Sequence, residues 1–241
     1  RENTSMWSLG NGALTIRTER GALNGRQFNN VRNMLLQPLH QQDDFVVDTE
    51  LRFTPEWVFR NAGLLYHIDD DNYIRVSRGI HEGRNTIWME WEVDGNTTFR
   101  YLDAPLPLEE ENLAFRLRLM RRAGNRYTAA YQVRSRQQDW TGWDLVGTAT
   151  IDFPTGAVRI GLQAANGEGL SSTDVPAEAR FNWFRFSTGT AVAPAATAPA
   201  AFRISGVHPN PATPGQEITV RLIVDHRTEI SMRLTDLLGR E

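Results

Sequence analysis

The sequence predicts an all-β fold, a two-sheet antiparallel β-sandwich. Three observations predict it. Apolar and polar residues alternate with period two through most of positions 12–186, the pattern of strands with one buried face. Turn-forming residues interrupt these runs at short intervals. No stretch shows the spacing of an amphipathic helix. Many short strands at this spacing bury a core by packing as two sheets.

The alternating runs are, in order, GALTIRT (12–18), DFVVDTELRF (44–53), AGLLYHI (62–68), YIRVSR (73–78), TIWMEWEV (86–93), LAFRLRLM (113–120), YTAAYQV (127–133), AVRIGLQA (157–164) and RFNWFRF (180–186). Asp94-Gly95-Asn96, Gly124-Asn125, Pro154-Thr155-Gly156 and Asn166-Gly167 supply turn chemistry between them. At 189–201 the text becomes GTAVAPAATAPAA, without charge or aromatic residue, which reads as a semi-extended linker. Beyond it, 202–241 holds two further alternating runs, 216–224 and 229–236, too few to stand alone easily. The expected domains are therefore 1–188, a linker at 189–201, and a partial small β module at 202–241.

The chain has 241 residues, 40 % hydrophobic and 23 % charged, with a net charge of −3. Those values suit a globular protein and give no bulk attraction for nucleic acid or an anionic membrane. No apolar run approaches the roughly 20 residues of a membrane helix, so no membrane insertion is expected. Cysteine is absent, which removes disulfides, thiolate metal sites and a cysteine nucleophile. Every basic side chain is arginine, and a compositional bias explains this more simply than function does. The opening RENTSMW has no initiating Met and reads as a fragment of a longer protein.

Two stretches invite chemistry. HIDDDNYIRVSR (67–78) places three aspartates and an asparagine between apolar runs. Counted as a calcium loop from Asp69, its fifth and sixth positions are Tyr73 and Ile74, where a ligand and a glycine are needed. A hairpin turn at Asp69–Asn72 fits better. In NTIWMEWEVDGN (85–96), Ile87, Met89, Trp91 and Val93 share one strand face, and Trp88, Glu90 and Glu92 share the other. An aromatic plate beside two carboxylates about 7 Å apart is the chemistry of a sugar site. Family 16 glucanases carry carboxylates on one strand face in a related alternation. Here the third acid, Asp94, falls in the Asp-Gly-Asn turn and is expected to leave the face. An enzyme with Glu90 and Glu92 as its carboxylates stays open as the alternative. Trp57 (TPEWVFRN) and the pair Trp140 and Trp143 (QDWTGWD) lie in loop-like contexts, Trp57 as core or ligand platform and Trp143 as core.

The phrases REN…MWSLGNGALTIRT, VRNMLLQP, DFVVDTELRFTP, AGLLYHIDDDNYIRV, YTAAYQVRS, VRIGLQAAN and VPAEARFNWFRF occur in one order over 1–188. Together they resemble the concanavalin A-like (laminin G-like) jelly-roll domain appended to family 43 glycoside hydrolases. The resemblance implies a β-sandwich, itself non-catalytic, that binds or positions polysaccharide. Relatives carry Phe-Asp-Trp-Phe in the last strand near a structural calcium; this chain has Asn182 there, in FNWF. The resemblance places any such calcium near Glu2 and Asn182, held more weakly by a neutral amide. No other cofactor is implied. In the tail, VHPNPATPG, ITVRLIV and ISMRLTDLLGRE resemble the C-terminal sorting domain of the type IX secretion system, here truncated. That resemblance implies the type IX machinery as a partner and a secreted or cell-surface location on a Gram-negative bacterium.

The sequence thus leads to a non-catalytic polysaccharide-binding module. Its expected contacts are Trp88, Glu90, Glu92, His67 and Arg75 on one sheet face, with Trp57 as a platform at the rim. A catalytic domain on the same fold and a purely structural spacer are the rivals.

Overall fold

Strands account for nearly all regular structure in this computed structural model, which describes residues 3–40, 44–81, 83–102, 113–122, 125–134, 139–168, 175–188, 202–208 and 219–224. After a single 3-10 turn, Thr4–Met6, come β1 (Trp7–Gly10), β2 (Ala13–Arg17), β3 (Leu23–Asn24), β4 (Phe28–Asn29), β5 (Leu35–Leu39), β6 (Phe45–Arg52), β7 (Asn61–Asp69) and β8 (Asn72–His81). They are followed by β9 (Arg84–Val93), β10 (Asn96–Tyr101), β11 (Ala114–Arg122), β12 (Arg126–Arg134), β13 (Asp144–Thr150), β14 (Val158–Ala165) and β15 (Glu178–Thr188). No helix among the described residues is long and apolar enough to cross a membrane.

The sandwich pairs a seven-stranded sheet, β1-β2-β15-β6-β11-β12-β13, with a six-stranded sheet, β10-β9-β8-β7-β14-β5. Neighbours in both sheets are antiparallel. Between the sheets lie the inward residues of alternate positions: Phe45, Val47 and Leu51 of β6, Phe115, Leu117 and Leu119 of β11, facing Leu64 and Tyr66 of β7, Ile74 and Val76 of β8, Ile87 and Met89 of β9, and Ile160 of β14. Tyr66 stacks on Phe45 and meets Tyr127 edge-on, each with ring centroids 5.6 Å apart. Burial holds the Tyr66 phenol protonated, its pKa raised well above the ordinary range.

Each of the runs expected between 12 and 186 falls on a strand of this sandwich, and the runs of the hairpin HIDDDNYIRVSR are β7 and β8. The strands that periodicity did not reveal are mostly edges. β1, β13, β10 and β5 each terminate a sheet. An edge strand has one neighbour and weaker demands on its pattern; β5 even accommodates Pro38, which cannot donate to a ladder. The β9–β10 hairpin closes through Asp94 (φ 51°) and Gly95 (φ 76°), the two left-handed residues of a type I′ turn. The third acid therefore does leave the Glu90–Glu92 face.

The chain divides into two units, 1–190 and 191–241. In the second, β16 (Phe202–His208) pairs antiparallel with β17 (Thr219–Val224). β17 falls within the expected run 216–224. The linker 189–201 and the run 229–236 lie outside the described residues.

Leu117 is fully buried at the centre of the seven-stranded sheet. Leu117→Ala is expected to lower unfolding stability by about 2–5 kcal/mol through lost burial and a residual cavity, read from denaturant melts. A loss well under this would place Leu117 outside the load the core carries.

Candidate functional site

Register brings the expected side chains together. His67 stands opposite Tyr73 and Tyr73 opposite Glu92; Arg75 opposes Glu90, and Ser77 opposes Trp88. Directly paired residues share a face. His67, Arg75, Trp88, Glu90 and Glu92 thus occupy one face of the six-stranded sheet, the one turned away from the core.

That face is not open. Trp88 is 2 % exposed, and Glu90 and Glu92 are 0 % exposed. The expectation of a solvent-facing sugar site at these residues is corrected here, and the cover supplies the physical reason. The segment after β2 folds back over the sheet, with Leu23 and Val31 packed on Leu65, Tyr73 and Ala165. The Gly25 amide donates to Glu92 Oε2 at 2.7 Å, and the Tyr73 hydroxyl lies 2.9 Å from the Leu23 carbonyl. Thr97 donates to Glu92 Oε2 at 2.9 Å. Period-two spacing shows which residues share a face; it carries no signal for a remote segment lying on top of it.

Under the cover, Glu90 is held from several sides. Arg75 donates from Nε at 2.7 Å and places Nη2 2.5 Å from the same oxygen, Oε2. Trp88 Nε1 donates to Oε2 at 3.1 Å. Tyr73 reaches Oε1 at 2.6 Å and Glu92 Oε2 at 3.0 Å. A phenol has one proton, and the shortest contact, to Glu90, is the one best placed to take it. Burial foremost, with Glu90 beside it, keeps the Tyr73 pKa far above the ordinary range. Burial works most strongly against the Arg75 cation, but Glu90, Tyr73 and Glu92 together outweigh it and leave the Arg75 pKa raised.

The remaining expected residues sit differently. His67 Nε2 lies 3.2 Å from Asp70 Oδ1, and Arg159 approaches Nδ1 at 3.5 Å. Burial lowers the His67 pKa, only partly opposed by Asp70. Asp69 Oδ1 accepts from the Asp71 amide and from Asn72 Nδ2, both at 2.9 Å, so the acidic tip is a hydrogen-bonded turn. Trp57, 48 % exposed, stands on the β6–β7 loop beside exposed Val58 and Phe59. Glu2 lies outside the described residues. Asn182 gives its amide nitrogen to Glu50 Oε1 at 2.8 Å. Around it Glu50 meets Arg116 and Arg134, and the described residues hold no group of three or more His, Cys, Asp or Glu suited to an ion. This donor set does not fit the calcium that the resemblance placed near Asn182.

A second set of side chains escaped the sequence reading. On the outer face of the seven-stranded sheet, Trp183, Glu50, Arg116 and Gln132 form one row across four strands, and Arg185, Asp48, Arg118 and Ala130 the next. Arg118 clasps Asp48 bidentately at 2.6 and 2.7 Å. Trp183 Nε1 donates to Glu50 Oε2 at 3.2 Å. Over these rows Trp140 stacks on Arg116 at 4.0 Å and on Arg134 at 4.7 Å, and Trp143 on Arg118 at 3.9 Å. Trp143 is 38 % exposed, which corrects its expected place in the core. The signal was present in FRLRL, where Arg116 and Arg118 alternate with core leucines, and in FNWFRF.

A family model described as the beta xylosidase C-terminal concanavalin A-like domain matches residues 1–187. The chain belongs to this family. Among solved structures, this chain is similar to part of the family 43 protein BlXynB of Bacillus licheniformis, with TM-score 0.58 and 17 % identity over 77 % of this chain and 35 % of that one. A xylan beta-1,4-xylosidase of Bacillus halodurans C-125 matches with TM-score 0.57 and 23 % identity over 76 % of this chain and 34 % of that one. A functionally unknown protein of Saccharomyces cerevisiae matches with TM-score 0.52 and 16 % identity, over 76 % of this chain and 91 % of its own. The chain thus spans about a third of the length of the family 43 proteins it matches. A search of the curated proteins found no match.

Tyr73→Phe removes the hydroxyl that faces both carboxylates. It is expected to cost about 1–3 kcal/mol, the penalty of a buried acceptor left unpaired, measured by chemical denaturation; an unchanged midpoint would show that the hydroxyl contributes nothing. For His67 the folded state resists the proton that the unfolded chain accepts near pH 6.5. Stability is therefore full above that pH and falls as the solution is acidified toward the lowered folded pKa. His67→Gln should flatten this part of the melting-temperature profile; a profile with undiminished slope would assign it to other groups.

Proposed function

We propose that residues 1–188 form a non-catalytic accessory domain that binds polysaccharide within a larger secreted carbohydrate-active protein. One observation carries the non-catalytic part: Glu90 and Glu92, the paired carboxylates of the enzyme alternative, are fully buried, and Glu90 is engaged by Tyr73, Arg75 and Trp88. A glycosidase acid or nucleophile has to reach the scissile bond and exchange protons there. Family membership and the likeness to about a third of longer family 43 proteins support the accessory role. The polysaccharide-binding part rests on that membership and on the aromatic and arginine residues of the outer sheet face.

The type IX sorting tag at 202–241, with secretion or surface attachment in a Gram-negative bacterium, remains part of this proposal on the phrases VHPNPATPG, ITVRLIV and ISMRLTDLLGRE. The purely structural spacer is the competing reading.

The test is a paired assay of the chain. Reducing-sugar release from xylan and arabinan is expected to stay at background, and Glu90→Gln to lower the melting temperature without touching any catalytic rate. Turnover abolished by Glu90→Gln or Glu92→Gln, with the fold intact, would restore the enzyme. Absence of binding to every polysaccharide tried would favour the spacer.

A further inference from the structure

Building on the polysaccharide-binding reading, we infer that its site is the outer face of the seven-stranded sheet and that its ligand is acidic, a pyranose chain bearing uronate carboxylates. The first support is the state of the indoles. Trp143 has a guanidinium on one side at 3.9 Å and is still 38 % exposed. Trp140 lies on Arg116 at 4.0 Å. Arg116 and Arg118 are two positions apart on β11, so the two stacks are separated by about 7 Å along the strand, the scale of one sugar ring. Aromatic planes fixed in this way meet the apolar face of a pyranose at little entropic cost.

The stretch carrying both indoles is itself anchored. The Thr141 amide donates to the Val133 carbonyl at 3.0 Å, Gln132 Nε2 donates to the Thr141 carbonyl at 2.6 Å, and the Thr141 hydroxyl accepts from the Val133 amide at 3.1 Å. Residue 141 thereby pins Trp140 and Trp143 against β12.

Charge decides the ligand class. In a chain of net charge −3, the central rows of this face gather Arg116, Arg118 and Arg185 around Asp48 and Glu50, Arg134 stands in the next row opposite Ala114, and Asp139 and Asp144 are exposed on the stretch that carries the indoles. Arg52 and Arg180, opposite each other on β6 and β15, form a further row beside these. Asp48 is taken up by Arg118, and Glu50 by Arg116, Asn182 and Trp183. The cationic excess remains, with Arg185 exposed beside Trp183. Guanidinium forks match carboxylates bidentately, so a uronate is the sugar substituent this surface complements.

The test is isothermal titration of the 241-residue chain with glucuronoxylan and polygalacturonate as acidic probes and with arabinan and uronate-free xylan as neutral ones. The acidic chains should bind more tightly, with affinity falling as salt rises. Trp143→Ala and Arg185→Gln should each weaken binding by about tenfold, and circular dichroism melts should show both variants folded as the parent is. Binding of neutral and acidic chains alike, unaffected by either substitution, would overturn this site while leaving polysaccharide binding standing. Absence of binding to all four probes would overturn both and favour the spacer.

Discussion

Arg75 and Glu90 stand opposite each other on β8 and β9, in the middle of a sheet with both faces buried, and that ion pair sets the terms for much of the domain. A carboxylate removed from water is tolerable only when it is matched in charge and hydrogen-bonded at both oxygens. Glu90 meets this condition with three side chains from two adjacent strands. The arrangement works only at the observed register, because a slip of one residue would send Arg75 and Glu90 to opposite faces. It also explains the cover: Tyr73 and Glu92 reach up to Leu23 and Gly25, so the folded-back segment is hydrogen-bonded to the same network that it shields. Arg78, by contrast, points the other way, onto Phe115 with its carbon 4.9 Å from the ring centroid, and burial lowers its pKa to about 10.

Strand alternation made the two-sheet architecture legible and placed His67, Arg75, Trp88, Glu90 and Glu92 on one face. It also identified the Asp69–Asn72 turn and the departure of Asp94 from the carboxylate row. These are local properties, fixed by period two and by residues that tolerate left-handed backbone. What the text hid was non-local. Nothing in ALNGRQFNNV marks it as a lid over residues fifty positions away, because its two-residue strands are too short to show a period. The edge strands were hidden for a related reason, since a strand with a single neighbour is free to depart from strict alternation, as β5 does at Pro38.

Trp143 was misread by the same kind of gap. A loop tryptophan is read as core because exposing an indole is costly. Here the cost is met on the surface, by guanidinium groups that cover one side of its ring and of the Trp140 ring. Seeing that would have required knowing that β11 and β12 pair so as to bring Arg116 and Arg118 under the 139–143 stretch.

The two faces are built from one chemical alphabet, and burial separates their roles. On the six-stranded sheet Arg75, Trp88 and Glu90 are closed off, so their pairing serves rigidity, and a ligand would have to displace a packed segment to touch them. On the seven-stranded sheet Arg118, Trp143 and Asp48 are arranged in much the same way, but water reaches them. Partly exposed ion pairs contribute little to stability, so stability alone does not account for an aromatic and arginine array on that face. The arginine-only composition gains a structural meaning here. A planar guanidinium can lie flat on an indole and still present edge donors to a carboxylate, as Arg118 does between Trp143 and Asp48; an ammonium group has no plane with which to do both.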